Sequence, residues 1–179
     1  RYPRKTPLYF ADKQEIRFQT PSGKIELYSR TLAEHGYDAL PRYTAPEKPA
    51  EDYYRLNYGR APAHTFGRTT NNPLLFELMP ENAVWINPRV ASQWQLKNGD
   101  YVQLKNQDGV ISNKVRVRVT ERTGANAVFM VHGFGHTARG LRLTSGVGAD
   151  DAGLMTNVKL DPIMGGTGMR ANFVTFVKA

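Results

Sequence analysis

The sequence predicts a mainly β domain whose short strands close into a small barrel with inserted loops and short helices. Three observations carry that prediction. Residues 100–105 and 111–119 alternate apolar and polar side chains, the period of a half-buried strand. Asn98-Gly99, Asp108-Gly109 and Thr123-Gly124 are turn signals between short apolar runs, and Asp108-Gly109 reads as a hairpin. The strands also supply enough Val, Ile, Leu and Phe to fill the inside of a small barrel.

Taken in order, the first 50 residues differ from the rest. Ile25, Tyr28, Leu32 and His35 fall at helical spacing, which predicts a helix over 25–35 with Ser22 as its N-cap and Gly36 as its stop. The stretch 41–52, PRYTAPEKPAED, carries three prolines and reads as a linker. A boundary near residue 52 then separates an N-terminal helical and extended segment, 1–52, from the barrel, 53–179. Residues 53–58 and 83–87 read as strands, and Pro88 opens a short helix over 88–95. After the turn at Asn98-Gly99-Asp100, Val102 and Leu104 share one strand face. Beyond Asp108-Gly109, Ile111, Val115, Val117 and Val119 share a face, Lys114, Arg116 and Arg118 take the other, and Asn113 marks a bulge. Residues 127–131 and 172–178 complete the strands, the last one apolar on both faces.

The chain has 179 residues, 40% hydrophobic and 22% charged, which excludes disorder and collagen. No apolar run reaches the length of a membrane span, and the opening RYPRKTPLYF has no apolar signal-peptide core. With no cysteine, disulfides, zinc-thiolate sites, iron–sulfur ligation and cysteine nucleophiles are all excluded within the chain. The net charge of +8 raises the question of an anionic partner, but the basic residues are spread along the chain rather than clustered. One reading of that charge, with 11% aromatic residues and a barrel, is a single-stranded nucleic-acid-binding module in which Tyr9, Phe10, Phe18, Tyr53, Tyr54 and Tyr58 stack bases. The other is that these aromatics belong to the core.

Three segments are too polar or glycine-rich to be plain connections. In GRAPAHTFGRTTNNP, residues 59–73, Arg60 and Arg68 suit phosphate, His64, Thr65, Thr69 and Thr70 add donors, and Gly59 and Gly67 allow close backbone approach. In HGFGHTARG, residues 132–140, His132 and His136 stand four apart. The intervening Gly133 and Gly135 argue against a helix, and no carboxylate completes a metal set, so the segment reads as a pocket lining with Phe134 as a wall. The stretches GVGADDAG and GGTG match neither a P-loop nor a dinucleotide fingerprint, and the adjacent Asp150 and Asp151 do not form an acid–base pair on a strand. Asn157 and Arg170 flank the second stretch within reach of a polar ligand. No nucleophile, general base or metal ligand stands out.

Taken together, FQTPSGKIELYS, GRAPAHTFGRTTNN, AVWINPRVASQWQLKNGDYVQLKNQDG and LMTNVKLDPIMGG followed by MRANFVTFVK resemble, in that order, the C-terminal part of molybdopterin oxidoreductases of the dimethyl-sulfoxide-reductase type. HGFGH and DPIMGG look most like catalytic subunits of thiosulfate or polysulfide reductases, with arsenate and tetrathionate reductases as alternatives. The resemblance implies a six-stranded double-psi β-barrel that binds molybdopterin guanine dinucleotide. It implies that Gly59, Arg60, His64, Thr65, Phe66, Gly67, Arg68 and Thr69 wrap the pterin and pyrophosphate, that Asn157 and Arg170 contact the cofactor, and that Phe134 and His136 lie near the active-site pocket. It assigns no catalytic or metal-ligating residue to this chain. Molybdenum or tungsten would be held by the cofactor and by other domains, without which the chain is not expected to turn over substrate. The partners implied are those remaining domains, iron–sulfur and membrane-anchor subunits, and no nucleic acid. The location implied is periplasmic, with membrane association through the partner subunits.

Overall fold

The structure is a computed structural model and describes residues 18–40 and 42–178. The chain divides between Pro46 and Glu47 into two compact units, a few residues before the boundary read from the sequence.

In the first unit, α1 spans Arg30–Glu34, capped by Ser29, whose hydroxyl accepts a hydrogen bond from the Leu32 amide. Gly36 follows with φ +78°, the left-handed stop that glycine permits. The helix predicted over 25–35 is therefore shorter, and Ser22 is not its cap. The backbone there is committed to a turn: Gly23 has φ +68° and donates to the Thr20 carbonyl, while the Thr20 hydroxyl donates to that of Lys24. Ile25, Leu27 and Tyr28 are exposed, so no neighbour among the described residues rewards a longer apolar stripe. Tyr9 and Phe10 lie outside the described residues.

The second unit contains β1 (Tyr54–Gly59), α2 (Pro73–Leu78), β2 (Ala83–Ile86), α3 (Pro88–Gln93), β3 (Tyr101–Asn106), β4 (Val115–Val119), β5 (Ala127–Val131), β6 (Lys159–Leu160), β7 (Thr167–Gly168) and β8 (Phe173–Lys178). Six of these strands close a barrel in the order β1-β5-β2-β4-β3-β8, with β8 pairing back to β1, and β6 and β7 form a separate hairpin arm. Two pairs, β1 with β5 and β2 with β4, run parallel, and the rest run antiparallel. This is the double-psi barrel that the resemblance implies.

Inward positions alternate as the strand period requires: Tyr54 and Leu56 from β1, Val84 and Ile86 from β2, Val102 and Leu104 from β3, Val115 and Val117 from β4, and Val128 and Met130 from β5 are buried in one core. Each fully buried aliphatic side chain contributes about 1.5–3 kcal/mol relative to exposure. Tyr54 therefore belongs to the core and is not a stacking platform. Its hydroxyl donates to Gln93 Oε1 at 3.2 Å and accepts from Trp94 Nε1 at 2.9 Å. Burial raises its pKa above the ordinary value of 10.0; Asp52 adds to the rise, and the Trp94 hydrogen bond opposes it.

Helix α3 forms where Asn87 caps the Arg89 amide and Pro88 enters the first turn, and it turns Val90 and Ala91 into the core. The same Asn-Pro device starts α2 at Asn72-Pro73, where the sequence reading saw only loop. Ile111 does not continue the inner row of β4. It is exposed, Ser112 is buried in its place, and the register slips by one residue between the Lys105–Ile111 bridge and the Val102–Val115 pair, as a bulge in this segment requires.

Candidate functional site

Because β1 and β5 are parallel, Gly59 and Val131 pair side by side and release two loops from the same end of the barrel. Tyr58 continues the inward row of Tyr54 and Leu56, and His132 continues that of Val128 and Met130. Both therefore stand one layer beyond the core, at the barrel mouth. Their rings lie 6.1 Å apart.

The returning backbone fixes the rest. The His132 amide donates to the Gly59 carbonyl at 2.9 Å, and Gly133, with φ +100°, lies against the Phe66–Gly67 peptide. A Cβ on Gly133 would come within 2.4 Å of the Phe66 carbonyl carbon. Buried Asn82 clamps the other side, donating to the carbonyls of Val131 and Ala149 and accepting from the Ala149 amide, each at 2.9 Å.

This packing lines up a continuous row of planar groups. The Arg60 guanidinium lies 4.4 Å from the Phe66 ring centre. Phe66 meets His132 edge-on at 5.6 Å, and the Arg170 guanidinium stands 5.9 Å from the Tyr58 ring on the far side. His132 Nδ1 donates to both oxygens of Asp151, at 2.9 and 3.0 Å, and Asp151 is completely buried. That pairing fixes the ring and leaves Nε2 without a hydrogen-bond partner among the described residues. Arg60, Arg68 and Arg170 have no ion-pair partner among the described residues.

Of the residues that the resemblance assigns to the cofactor, Arg60, Phe66 and Arg170 are brought into this row, with Gly59 and Gly67 shaping the backbone around it. Several others hold the loop from within. His64 is buried; its Nε2 donates to the Met79 carbonyl at 2.8 Å and its Nδ1 accepts from the Thr69 hydroxyl at 3.3 Å. The Thr65 amide donates to that same Thr69 oxygen at 2.9 Å. Phe134 is only 3% exposed and packs edge-on against His64 at 5.5 Å, supporting the loop from beneath. His136 shares a 3.1 Å hydrogen bond with Thr70, and its ring fills the space in front of Gly67. Arg68 and the Thr65 side chain are exposed on the loop, outside the row. Asn157 sits at the root of the β6–β7 arm, where its amide donates to Asn172 Oδ1 at 2.8 Å.

Asp151 is the site residue that the sequence does not single out, and Tyr58 and His132 are named there without a place in this row. The sequence reads His132 as part of a pocket-lining segment rather than as a metal ligand, Tyr58 as a base-stacking aromatic, and Asp151 as half of an adjacent pair. Asp150 instead caps the amides of Ala152 and Gly153 from the surface, while Asp151 turns inward. A cleft of about 610 Å³ lies away from the row, between Met79, Trp85 and Arg118. None of the residues that the resemblance assigns to the cofactor lines it, and its Arg116 is paired with Glu81 at 2.5 Å.

Comparison with known proteins shows the family and the fold of the chain. The family model described as "Molydopterin dinucleotide binding domain" matches residues 54–173. The chain is 39% identical over 131 residues to the thiosulfate reductase molybdopterin-containing subunit PhsA of Salmonella typhimurium, a match covering 70% of this chain and 16% of that protein. It is 26% identical over 185 residues to the dimethyl sulfoxide reductase DmsA of Escherichia coli, covering 93% of this chain and 22% of that one. Acetylene hydratase from Pelobacter acetylenicus superimposes on 92% of this chain with a TM-score of 0.72 at 20% identity, over 24% of its own length. The last is a likeness of fold. The chain spans about a sixth to a quarter of each of these proteins.

Proposed function

The chain belongs to the molydopterin dinucleotide binding domain family, and from that premise we propose that it binds molybdopterin guanine dinucleotide at the barrel mouth, as one domain of a molybdenum oxidoreductase acting on thiosulfate or polysulfide. The observation that carries the site is the row Arg60–Phe66–His132–Tyr58–Arg170, which ends in a guanidinium on each side. Planar cations without carboxylate partners suit phosphate oxygens, and aromatic faces and edges suit a flat heterocycle.

In this reading Arg60 and Arg170 hold the anionic and polar edges of the cofactor. His132, oriented by Asp151, presents Nε2 as a fixed donor or acceptor at the mouth. His64, Thr69 and His136 keep the 59–73 loop in shape. When bound, the cofactor supplies metal-centred redox chemistry, and these residues bind and orient it. The sulfur substrate rests on the 39% identity to the thiosulfate reductase subunit, together with HGFGH and DPIMGG. A periplasmic location and iron–sulfur and membrane-anchor partners belong to the same proposal.

An amide-resolved NMR titration with GDP, as the guanine and pyrophosphate half of the cofactor, tests the site. Saturable shifts are expected at residues 59–70, 132 and 170. Arg60→Ala is expected to weaken binding about ten- to a hundredfold, the worth of one charge-assisted hydrogen bond. GDP binding that Arg60→Ala and Arg170→Ala both leave unchanged would refute the assignment. A short oligonucleotide that binds with a steep salt dependence while GDP does not would favour the nucleic-acid reading. For the substrate, viologen-linked reduction by the full-length enzyme should favour thiosulfate or polysulfide over dimethyl sulfoxide.

A further inference from the structure

The β6–β7 arm gathers exposed apolar side chains that nothing covers among the described residues. Val158, Leu160, Ile163 and Met164 are exposed within seven residues, Leu160 at 68% and Met164 at 85%. This exposure is built rather than frayed. At the tip, Asp161 Oδ1 accepts from the amides of Ile163 and Met164 at 3.0 and 2.6 Å. The Gly165 amide donates to the Asp161 carbonyl at 3.0 Å, and the Asp161 amide to that of Gly166 at 2.8 Å. At the root, fully buried Asn172 joins the two legs: its Oδ1 accepts from the Asn157 amide, and its Nδ2 donates to the carbonyls of Asn157 and Met169. Lys159 is paired with Glu47 at 2.6 Å. A rigid stem that holds out bare apolar side chains is costly in water unless something covers them.

We infer that this arm is a docking element, and that an apolar hollow on another domain of the same catalytic polypeptide covers Leu160, Ile163 and Met164. Three observations select that occupant. The relatives extend far beyond the part this chain matches, which is 16% of one and 22% of another. The leg after β7 runs directly into Arg170, so a body that closes over the barrel mouth reaches the arm. The arm's own charges are one Lys, already paired, and one Asp that caps its own turn, which gives no hold to nucleic acid or an anionic lipid surface. The inference rests on the proposed function only in taking the cofactor to lie at that mouth.

The test places a photoreactive p-benzoylphenylalanine at Met164 in the full-length enzyme. The expected result is a crosslink within one polypeptide, mapped by mass spectrometry to residues outside these 179. A crosslink to a second polypeptide, to lipid or within residues 1–179, or no crosslink at all, would overturn the docking role. Pterin content of the same preparation, read by fluorescence after oxidation, reports separately on the cofactor. Pterin present without the expected crosslink refutes the arm alone, whereas pterin absent refutes the cofactor reading whatever the crosslink shows.

Discussion

Replacing Gly133 by alanine tests the packing that shapes the barrel mouth. The new Cβ would lie 2.4 Å from the Phe66 carbonyl carbon, 2.5 Å from the Gly67 nitrogen and 2.8 Å from the Phe66 oxygen, all backbone atoms that cannot turn away. The residue would also keep φ near +100°, which L side chains rarely adopt. Backbone strain of that kind costs about 1–3 kcal/mol, and forced overpacking about 1–3 kcal/mol more. The sum, about 2–6 kcal/mol, is a large share of the 5–15 kcal/mol typical of a domain. For a chain of this size its midpoint corresponds to a fall in Tm of about 8–16 °C. Gly140→Ala is the control, because nothing lies within 4 Å of its added Cβ, and neutrality or a gain of about 0.4–1 kcal/mol is expected. Urea unfolding followed by circular dichroism measures both. Should Gly133→Ala fall within about 0.5 kcal/mol of Gly140→Ala, the 132–136 segment does not press on the Phe66–Gly67 peptide, and the row at the mouth is not held in this way.

Other substitutions probe neighbouring links. His132→Ala strands the carboxylate of Asp151 in the interior and should cost about 2–3 kcal/mol, while Asp151→Asn, which keeps a hydrogen bond, should cost less; a double-mutant cycle in urea should return a coupling of about 1 kcal/mol or more. Asn172→Ala removes the amide that joins the legs of the arm, so a loss of about 2–4 kcal/mol and faster amide exchange over 157–169 are expected. The raised pKa of Tyr54 sets a pH dependence: the stability it contributes is fully present below the ordinary value of 10.0 and is lost as pH rises towards the folded value, because the unfolded chain gives up that proton first. Thermal midpoints should therefore decline above about pH 10, and Tyr54→Phe should flatten the decline.

Much of the barrel was legible because its strands obey local rules. Val102 and Leu104, or Val115 and Val117, announce an inner face by spacing alone, and Asn87-Pro88 announces a helix start. What escaped depended on tertiary context. Ile25 and Tyr28 have helical spacing but stay exposed among the described residues, so a turn wins. Ile111 has the right parity, yet a bulge reverses it. Asn72-Pro73 carried the same signal as Asn87-Pro88 and was hidden in a stretch read for its polar side chains. At the site, Arg60, Phe66 and Arg170 were reachable through resemblance. The His132–Asp151 pair was not, because it spans 19 residues and depends on Asp151 turning inward where Asp150 turns out.

The parallel pairing of β1 has a consequence for biosynthesis. Its neighbours are β5 at Ala127–Val131 and β8 from Phe173, both made long after Gly59 has left the ribosome. At about 5–20 residues per second, the 72 residues from Arg60 through Val131 take about 4–14 s to translate, and the 114 from Arg60 through Phe173 about 6–23 s. Until β5 is made Tyr54–Gly59 has both edges open, and until β8 is made it has one, a template for pairing with the wrong chain. The newborn polypeptide thus passes through a window in which a holdase has a defined target, and the row at the mouth is complete only after that window closes.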